Sequence, residues 1–341
     1  MSPKRIERLK QLIASHNRFV LTTHVNPDGD GLGSEMAFYH YLRHLGKEVF
    51  IWNPNPIPPN YAFLDPGHVI EVFGKKRHKS RLEAVESVFI LDISDWCRLK
   101  AFGEWLIRQK LPTVCIDHHP NGERFAGLEF LITAASSTGE IVYDILKALG
   151  AEFTPAISEA VYTAVLTDTG SFRFNNTTPK AHRIAAELIK NGVDFQAVYE
   201  NIYEKEPAEK IALLGMVLQK LHFEYGGRLV WFKITGEMLK AVGLKPEDSD
   251  GFSDFPRRID GVEVSLMFVQ VSLRRTKVSF RSKGNIIIND LAREVGGGGH
   301  QYASGAIVQK PLEETIKMVL EKAERLFSEE GSKQQDVPLS E

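Results

Sequence analysis

Residues 23–34 read Thr-His-Val-Asn-Pro-Asp-Gly-Asp-Gly-Leu-Gly-Ser and bring one imidazole, His24, close to two carboxylates, Asp28 and Asp30. Side chains of these types ligate metal ions or move protons. The proline and glycines predict a tight loop between a strand and a helix that folds all three groups toward one point. Asp92 ends the apolar run 88–91, where a buried carboxylate needs a partner. Asp95 suits the N-cap of the next helix. Asp117, His118 and His119 end the run 113–116. One imidazole there could ligate a metal and the other face a substrate, with Asp117 orienting a histidine from behind. Asp168 follows a helical stretch, where the helix dipole disfavours a carboxylate and a nearby cation is needed.

Each cluster alone also fits a plainer role, since Asp-Gly is ordinary turn chemistry and a histidine pair has many uses. Their shared placement at the ends of predicted strands and helices points to convergence. Four carboxylates packed together would repel and take up protons unless cations neutralise them. Two divalent ions resolve that conflict and supply a reaction. His24, Asp28 and Asp92 are expected to hold one ion, and Asp30, Asp92, His118 and Asp168 the other, with Asp92 between them. Mainly oxygen ligands with two imidazoles suit Mn²⁺, with Mg²⁺, Co²⁺ or Zn²⁺ behind it. The expected chemistry is in-line attack of an activated hydroxide on phosphorus. Asp92 and His119 are the catalytic candidates, His119 by hydrogen-bonding a phosphoryl or leaving oxygen.

The surrounding pattern supplies the supports. Residues 19–23, 49–52, 88–91 and 113–116 read as strands apolar throughout, as in a parallel sheet covered on both faces. Helical stretches at 32–45 and 136–149 end at Gly46 and Gly150, and the second opens on a capping-box pattern, Ser137 to Glu140. Thr154-Pro155 and Thr178-Pro179 open two more helices. The fold class is therefore α/β, with a doubly wound, mostly parallel sheet in the N-terminal half. Beyond Pro207 the texture changes. A hairpin pattern brackets Gly226-Gly227, and an alternating strand over 262–268 precedes a second strand at 277–282. A helix over 311–327 closes the pattern. The predicted division is 1–190 catalytic, 191–207 linker, 208–330 a smaller C-terminal α/β domain and 331–341 a frayed tail.

Composition narrows the function classes. The 341 residues are 43% hydrophobic and 25% charged, so the chain can bury a sizeable core. A net charge of −2 argues against a protein that coats long nucleic acids. Two cysteines, Cys97 and Cys115, cannot build a disulfide framework and read as buried thiols in a reducing compartment. The charged N-terminus lacks a signal peptide, and no apolar run is long enough to span a bilayer, so a cytoplasmic protein without membrane partners is expected.

At these clusters the sequence resembles the DHH phosphoesterase superfamily. His24-x-x-Pro27-Asp28-Gly29-Asp30, Asp92, the Asp117-His118-His119 triplet and Thr167-Asp168-Thr169-Gly170 stand in that family's order. Val278-Ser279-Phe280-Arg281-Ser282 and the run Gly296-Gly297-Gly298-Gly299-His300 through Ala306 resemble the DHHA1 substrate domain. The combination is similar to the oligoribonuclease and 3′-phosphoadenosine-5′-phosphate phosphatase branch, the nanoRNases. Gly31, Gln301 and Ser304 depart mildly from the pattern, and none is a proposed metal ligand. The resemblance implies the same metal assignment and an active site in the cleft between the domains. It also implies cleavage of RNA about two to five nucleotides long to nucleoside 5′-monophosphates and of 3′-phosphoadenosine 5′-phosphate to AMP.

Arg281 offers a planar fork for phosphate. Gly297, Gly298 and Gly299 are expected to expose backbone N–H groups as a phosphate-cradling nest beside His300. Arg257 and Arg258 are additional basic candidates. A linear or cyclic dinucleotide phosphodiesterase is the alternative activity. A manganese inorganic pyrophosphatase or an inactive nucleotide-binding module stands behind it, and a homodimer is left open.

Overall fold

The computed structural model describes residues 2–93, 95–119 and 127–328, apart from the His300 side chain. The chain divides into two compact units, Met1–Lys205 and Glu206–Glu341.

In the first unit, strands alternate with helices: α1 (Pro3–Ser15), β1 (Arg18–Thr22), α2 (Gly29–His44), β2 (Glu48–Asn53), β3 (Ile70–Val72), α3 (Lys79–Leu82), β4 (Ser87–Leu91), α4 (Lys100–Leu106), β5 (Thr113–Asp117) and β6 (Leu128–Leu131). Four helices complete it: α5 (Thr138–Ala148), α6 (Pro155–Asp168), α7 (Pro179–Lys190) and α8 (Phe195–Tyr203). The six strands form one parallel sheet in the order β3-β2-β1-β4-β5-β6. Apolar runs are explained by burial on both faces. Phe19, Leu21, Phe89 and Leu91 enter one core cluster, while Val20, Val88 and Ile90 enter another. Strand order reverses between β1 and β4, and in open α/β sheets ligands bind beyond the carboxyl ends of the strands at such a point.

The loop expected before the helix at 32–45 is shorter than its composition suggests. Asp28 is the N-cap of α2, and Asp30, Gly31 and Gly33 already lie in the helix. Gly31 and Gly33 serve close packing rather than turning. A Cβ on Gly31 would stand 2.3 Å from Thr23 Oγ1, and one on Gly33 would stand 2.3 Å from the Ala160 carbonyl oxygen of α6. The segment predicted as a linker is also corrected. Most of 191–207 is α8, whose Val198 and Ile202 are buried in the first unit's core. An apolar pair at 198 and 202 is one helical turn apart and belongs to a packed face. Cys115 is buried as expected, but Cys97 is exposed on a short 3-10 turn.

The second unit contains α9 (Ala208–Leu218), β7 (His222–Glu224), β8 (Leu229–Ile234), α10 (Gly236–Val242), β9 (Val264–Ser272), β10 (Arg275–Ser282), α11 (Asn289–Glu294), β11 (Gly298–His300), β12 (Ala303–Val308) and α12 (Leu312–Ala323). Its strands form a second sheet, β11-β12-β10-β9-β8-β7, antiparallel except for the β8–β9 pair. β9 is not half-buried as its alternation implied. Leu266 and Phe268 enter one core cluster and Met267 and Val269 the other, because helices cover both faces. The predicted tail, 331–341, lies outside the described residues. Among those described, no helix is long and apolar enough to cross a membrane.

Replacing Gly33 by Ala forces a methyl group against the α6 backbone, which cannot rotate aside. Overpacking of this kind costs about 1–3 kcal/mol. A fall in the thermal midpoint is the expected outcome, checked by calorimetry against the wild-type chain.

Candidate metal centre

Five segments of the first unit deliver acidic and imidazole groups to the β1/β4 switch. His24 follows β1 and is buried. Its Nδ1 donates to the Val25 carbonyl at 2.9 Å, which aims Nε2 at Asp28 Oδ2 (3.6 Å) and Asp92 Oδ2 (3.3 Å). Asp28 divides its carboxylate. Oδ1 accepts the N–H groups of Asp30 (3.1 Å) and Gly31 (3.2 Å) and starts α2, while Oδ2 faces His24.

Asp30 is buried, and both its oxygens are held by the N-terminus of α5. The N–H groups of Thr138 (2.7 Å) and Gly139 (2.8 Å) donate to them. A helix N-terminus favours an anion there. Asp92 follows β4 in a left-handed backbone conformation, φ +60°, which is costly for a residue with a side chain and concentrates at functional sites. Its Oδ1 accepts the Thr138 hydroxyl at 2.9 Å.

His118 Nε2 lies 3.7 Å from Asp30 Oδ2, 3.8 Å from Asp92 Oδ1 and 3.7 Å from Asp168 Oδ2. Asp168 occupies the last turn of α6, and Asn176 Nδ2 donates to its carboxylate at 3.1 Å. Buried Asp117 holds the neighbouring imidazole. Its Oδ1 accepts His119 Nδ1 at 2.7 Å and the His119 N–H at 3.2 Å. The candidates His24, Asp28, Asp30, Asp92, His118, His119 and Asp168 are thus brought together, and Asp117 stands behind His119 rather than His118.

These spacings fit a cation better than a hydrogen-bonded network. Two ligands each about 2.1 Å from a shared ion lie roughly 3.0–3.8 Å apart, depending on the angle between them. Hydrogen bonds rarely exceed about 3.2 Å. Three donor groupings have their ligand atoms within 4.8 Å of one another: His24 with Asp28 and Asp92, Asp30 with His118 and Asp168, and Asp92 with His118 and His119. Charge gives the same answer. Burial, then the charges of Asp92, Asp168 and Asp28, push the Asp30 carboxyl well above its ordinary range. Burial, with Asp92 and Asp28 beside it, pushes Asp168 up to about 8. Burial works against a charged His24, but the carboxylates of Asp28 and Asp92 outweigh it and raise the imidazole to about 10. Loss of water works upward on Asp28, yet His24 and the α2 N–H groups bring it down to about 2. Its side chain is 54% exposed, so solvent screens that effect. Without a cation, Asp30, Asp168 and His24 keep protons to higher pH than they ordinarily would.

Sequence reasoning missed two supports. Thr138 read only as part of a capping box, although its N–H and hydroxyl reach two different carboxylates. The box itself is altered. Ser137 Oγ accepts the Glu140 N–H, but the Glu140 carboxylate takes the N–H and hydroxyl of Ser136. Asn176 gave no signal, because one amide in a loop has no periodicity. Asp95 does cap the turn Trp96–Leu99 as expected.

The second unit's candidates are partly committed elsewhere. Arg281 Nη1 donates to the Phe280 carbonyl at 2.9 Å, and its Nε lies 3.7 Å from Asp254. Arg257 pairs with Asp254 at 2.8 Å, and the Arg258 guanidinium lies over the Phe255 ring. The expected nest is corrected. The Gly296 N–H donates to the Arg293 carbonyl and the Gly297 N–H to the Ala292 carbonyl, closing α11. Gly296, at φ +82°, supplies the left-handed residue that such a helix end requires. Gly298 and Gly299 continue into edge strand β11. An edge strand still presents backbone groups outward, but extended rather than curled. The His300 side chain lies outside the described residues.

This fold and this cluster define a phosphoesterase. A model of the DHH family, N-terminal domain, matches residues 18–167, and a DHHA1 domain model matches 235–329. The chain belongs to the DHH family, with a DHHA1 domain following. Among known proteins it is 33% identical over 308 residues to the bifunctional oligoribonuclease and PAP phosphatase NrnA of Thermus thermophilus, covering 88% of this chain and 87% of that protein. The Bacillus subtilis protein of the same name is 28% identical over 307 residues, covering 88% and 92%. An exopolyphosphatase-related protein from Bacteroides fragilis superposes with a TM-score of 0.90 at 26% identity, covering 96% of this chain and 98% of that one.

Stripping divalent ions exposes the charge conflict as a pH dependence. Asp30 and Asp168 bind protons more tightly folded than unfolded, so stability falls as pH rises from their unfolded value near 3.8 toward about 8. His24, raised from 6.5 to about 10, adds to the fall over its own range. His118 and His40, held below their usual value by burial, act in the opposite sense near neutral pH, and the lowered Asp28 does so only below about pH 4. Melting the chelated protein at about pH 5 and about pH 8 should give the lower midpoint at the higher pH. Added Mn²⁺ should reduce that difference.

Proposed function

We propose that the chain hydrolyses phosphoesters at this cluster, degrading RNA of about two to five nucleotides to nucleoside 5′-monophosphates and converting 3′-phosphoadenosine 5′-phosphate to AMP. The observation that carries the reading is the meeting of His24–Asp28–Asp92 and Asp30–His118–Asp168 around one side of a parallel sheet. In support of the substrates, relatives matching most of the chain are named oligoribonuclease and PAP phosphatase.

In this reading His24, Asp28 and Asp92 hold one divalent cation. Asp30, His118 and Asp168 hold a second, with Asp92 shared; Mn²⁺ is the first candidate and Mg²⁺ or Co²⁺ the next. When bound, such a pair lowers the pKa of an attacking water and offsets charge on the phosphoryl oxygens. The chain's own groups do the remaining work. Thr138 and Asn176 fix the carboxylates of Asp30, Asp92 and Asp168 so that they do not splay apart. Asp117 holds the His119 ring at Nδ1 and stabilises its protonated form. Burial disfavours that charge, but the Asp117 hydrogen bond and the Asp92 charge outweigh it and raise the imidazole above its ordinary value. His119 is then suited to donate a hydrogen bond to a phosphoryl or leaving oxygen. Arg281 and the backbone of Gly298 and Gly299, with His300, bind the substrate's other phosphate or base. In the second unit, residues 208–330 act as the substrate domain.

Labelled RNAs from two to 24 nucleotides, assayed with Mn²⁺, should show rates that fall steeply beyond about five nucleotides. Equal rates at every length would contradict the length selection. Asp92→Ala should abolish turnover while the protein still melts cooperatively. Unchanged turnover in that variant would remove Asp92 from the reaction.

A further inference from the structure

Arg98 stands in the first unit beside the acid–imidazole cluster. It lies on the 3-10 turn Trp96–Leu99, which follows Asp92 and is capped by Asp95. The turn is tied to the site, because the Arg98 carbonyl accepts the N–H of Val25, next to His24, at 2.9 Å. The guanidinium is close enough for its charge to act on His119.

Its surroundings are unusual for an arginine. Arg98 is half-buried, yet among the described residues its guanidinium makes no hydrogen bond, ion pair or ring contact. Other arginines of this chain are either engaged or exposed. Arg81 pairs with Glu71, Arg228 with Glu263 and Arg257 with Asp254, whereas Arg5, Arg108 and Arg183 point into solvent. A half-buried cation loses hydration and ordinarily regains it from an anion. Among the described residues no carboxylate pairs with Arg98, so none of them takes that role.

We propose that Arg98 is the first unit's anion anchor and binds a phosphate oxygen of the substrate on the His119 side of the site. This rests on the phosphoester reading above and deepens it. Phosphate recognition then begins in the unit that carries the acid–imidazole cluster, with a planar fork matched to phosphate. It does not depend on Arg281 alone, whose guanidinium already donates to a backbone carbonyl. The anchor also fixes the phosphate against His119, so that the imidazole meets an oxygen already oriented.

The test uses the full chain loaded with Mn²⁺, in wild-type form and as Arg98→Ala, Arg98→Gln and Arg98→Lys. Calorimetry measures binding of inorganic phosphate and AMP, and steady-state assays give kcat and KM on 3′-phosphoadenosine 5′-phosphate. Arg98→Ala and Arg98→Gln should weaken phosphate and AMP binding and raise KM by about tenfold to a hundredfold, the size of one charge-assisted hydrogen bond. Metal content and thermal midpoint should stay as in the wild type. Arg98→Lys should recover part of the loss, and added guanidinium ion should rescue Arg98→Ala but not the wild type. Phosphate affinities within twofold across all four proteins would overturn the assignment. So would a loss shared equally by Arg98→Lys, unrescued, with a lowered midpoint. A wild-type protein that binds phosphate but leaves the substrate intact would instead count against the proposed substrates, and the binding comparison would still decide the role of Arg98.

Discussion

Mutual repulsion among Asp28, Asp30, Asp92 and Asp168 is the constraint around which the first unit is organised. Four carboxylates at this spacing have no stable arrangement without opposing charge or bound protons. The chain supplies part of the opposition through fixed dipoles. The start of α5 faces Asp30, the start of α2 takes one oxygen of Asp28, and a hydroxyl and an amide restrain Asp92 and Asp168. What these groups leave uncompensated is net negative charge. The chemistry of a DHH phosphoesterase follows from that residue of charge rather than from any single side chain.

Topology explains how the repelling groups come to be neighbours. In the order β3-β2-β1-β4-β5-β6, the crossovers depart in opposite directions from β1 and β4, so no helix crosses the ends of these two strands. His24 and Asp92 stand at that opening, and β5 adds His118 and His119 from the next position. Helices α5 and α6 then bring Thr138 and Asp168 to the same end of the sheet. Main-chain strain at Asp92 belongs to this economy. A left-handed residue directly after a strand turns its side chain back over the opening, where an extended one would carry it past.

Much of this was legible in the sequence because carboxylates and imidazoles at the ends of apolar runs are conspicuous. Asp28, Asp92, His118 and Asp168 each interrupt a pattern that predicts burial. The α/β class followed from strands that are apolar on both faces, and the helix starts at Thr154 and Thr178 from their capping chemistry. What escaped notice has a common physical cause. Gly31 reads as a turn former, and the close approaches that Gly31 and Gly33 permit leave no periodic signature. Strands β3 and β6 are too short to show alternation, and the helical pattern at 195–203 falls within the expected linker because charged residues surround its two buried positions. Gly296 and Gly297 were misread for a related reason: a helix terminus and an anion nest use glycine in the same left-handed conformation.

The contact at Gly33 reaches beyond packing. Helix α2 carries Asp28 and Asp30 at its beginning, and α6 carries Asp168 at its end. Where the two helices meet, a missing side chain lets one backbone rest directly on the other. The carboxylates therefore belong to a single stiff frame, not to independently adjustable arms. In the proposed metal-binding reading, a guest ion of larger radius would have to pry main chain from main chain rather than swing a rotamer.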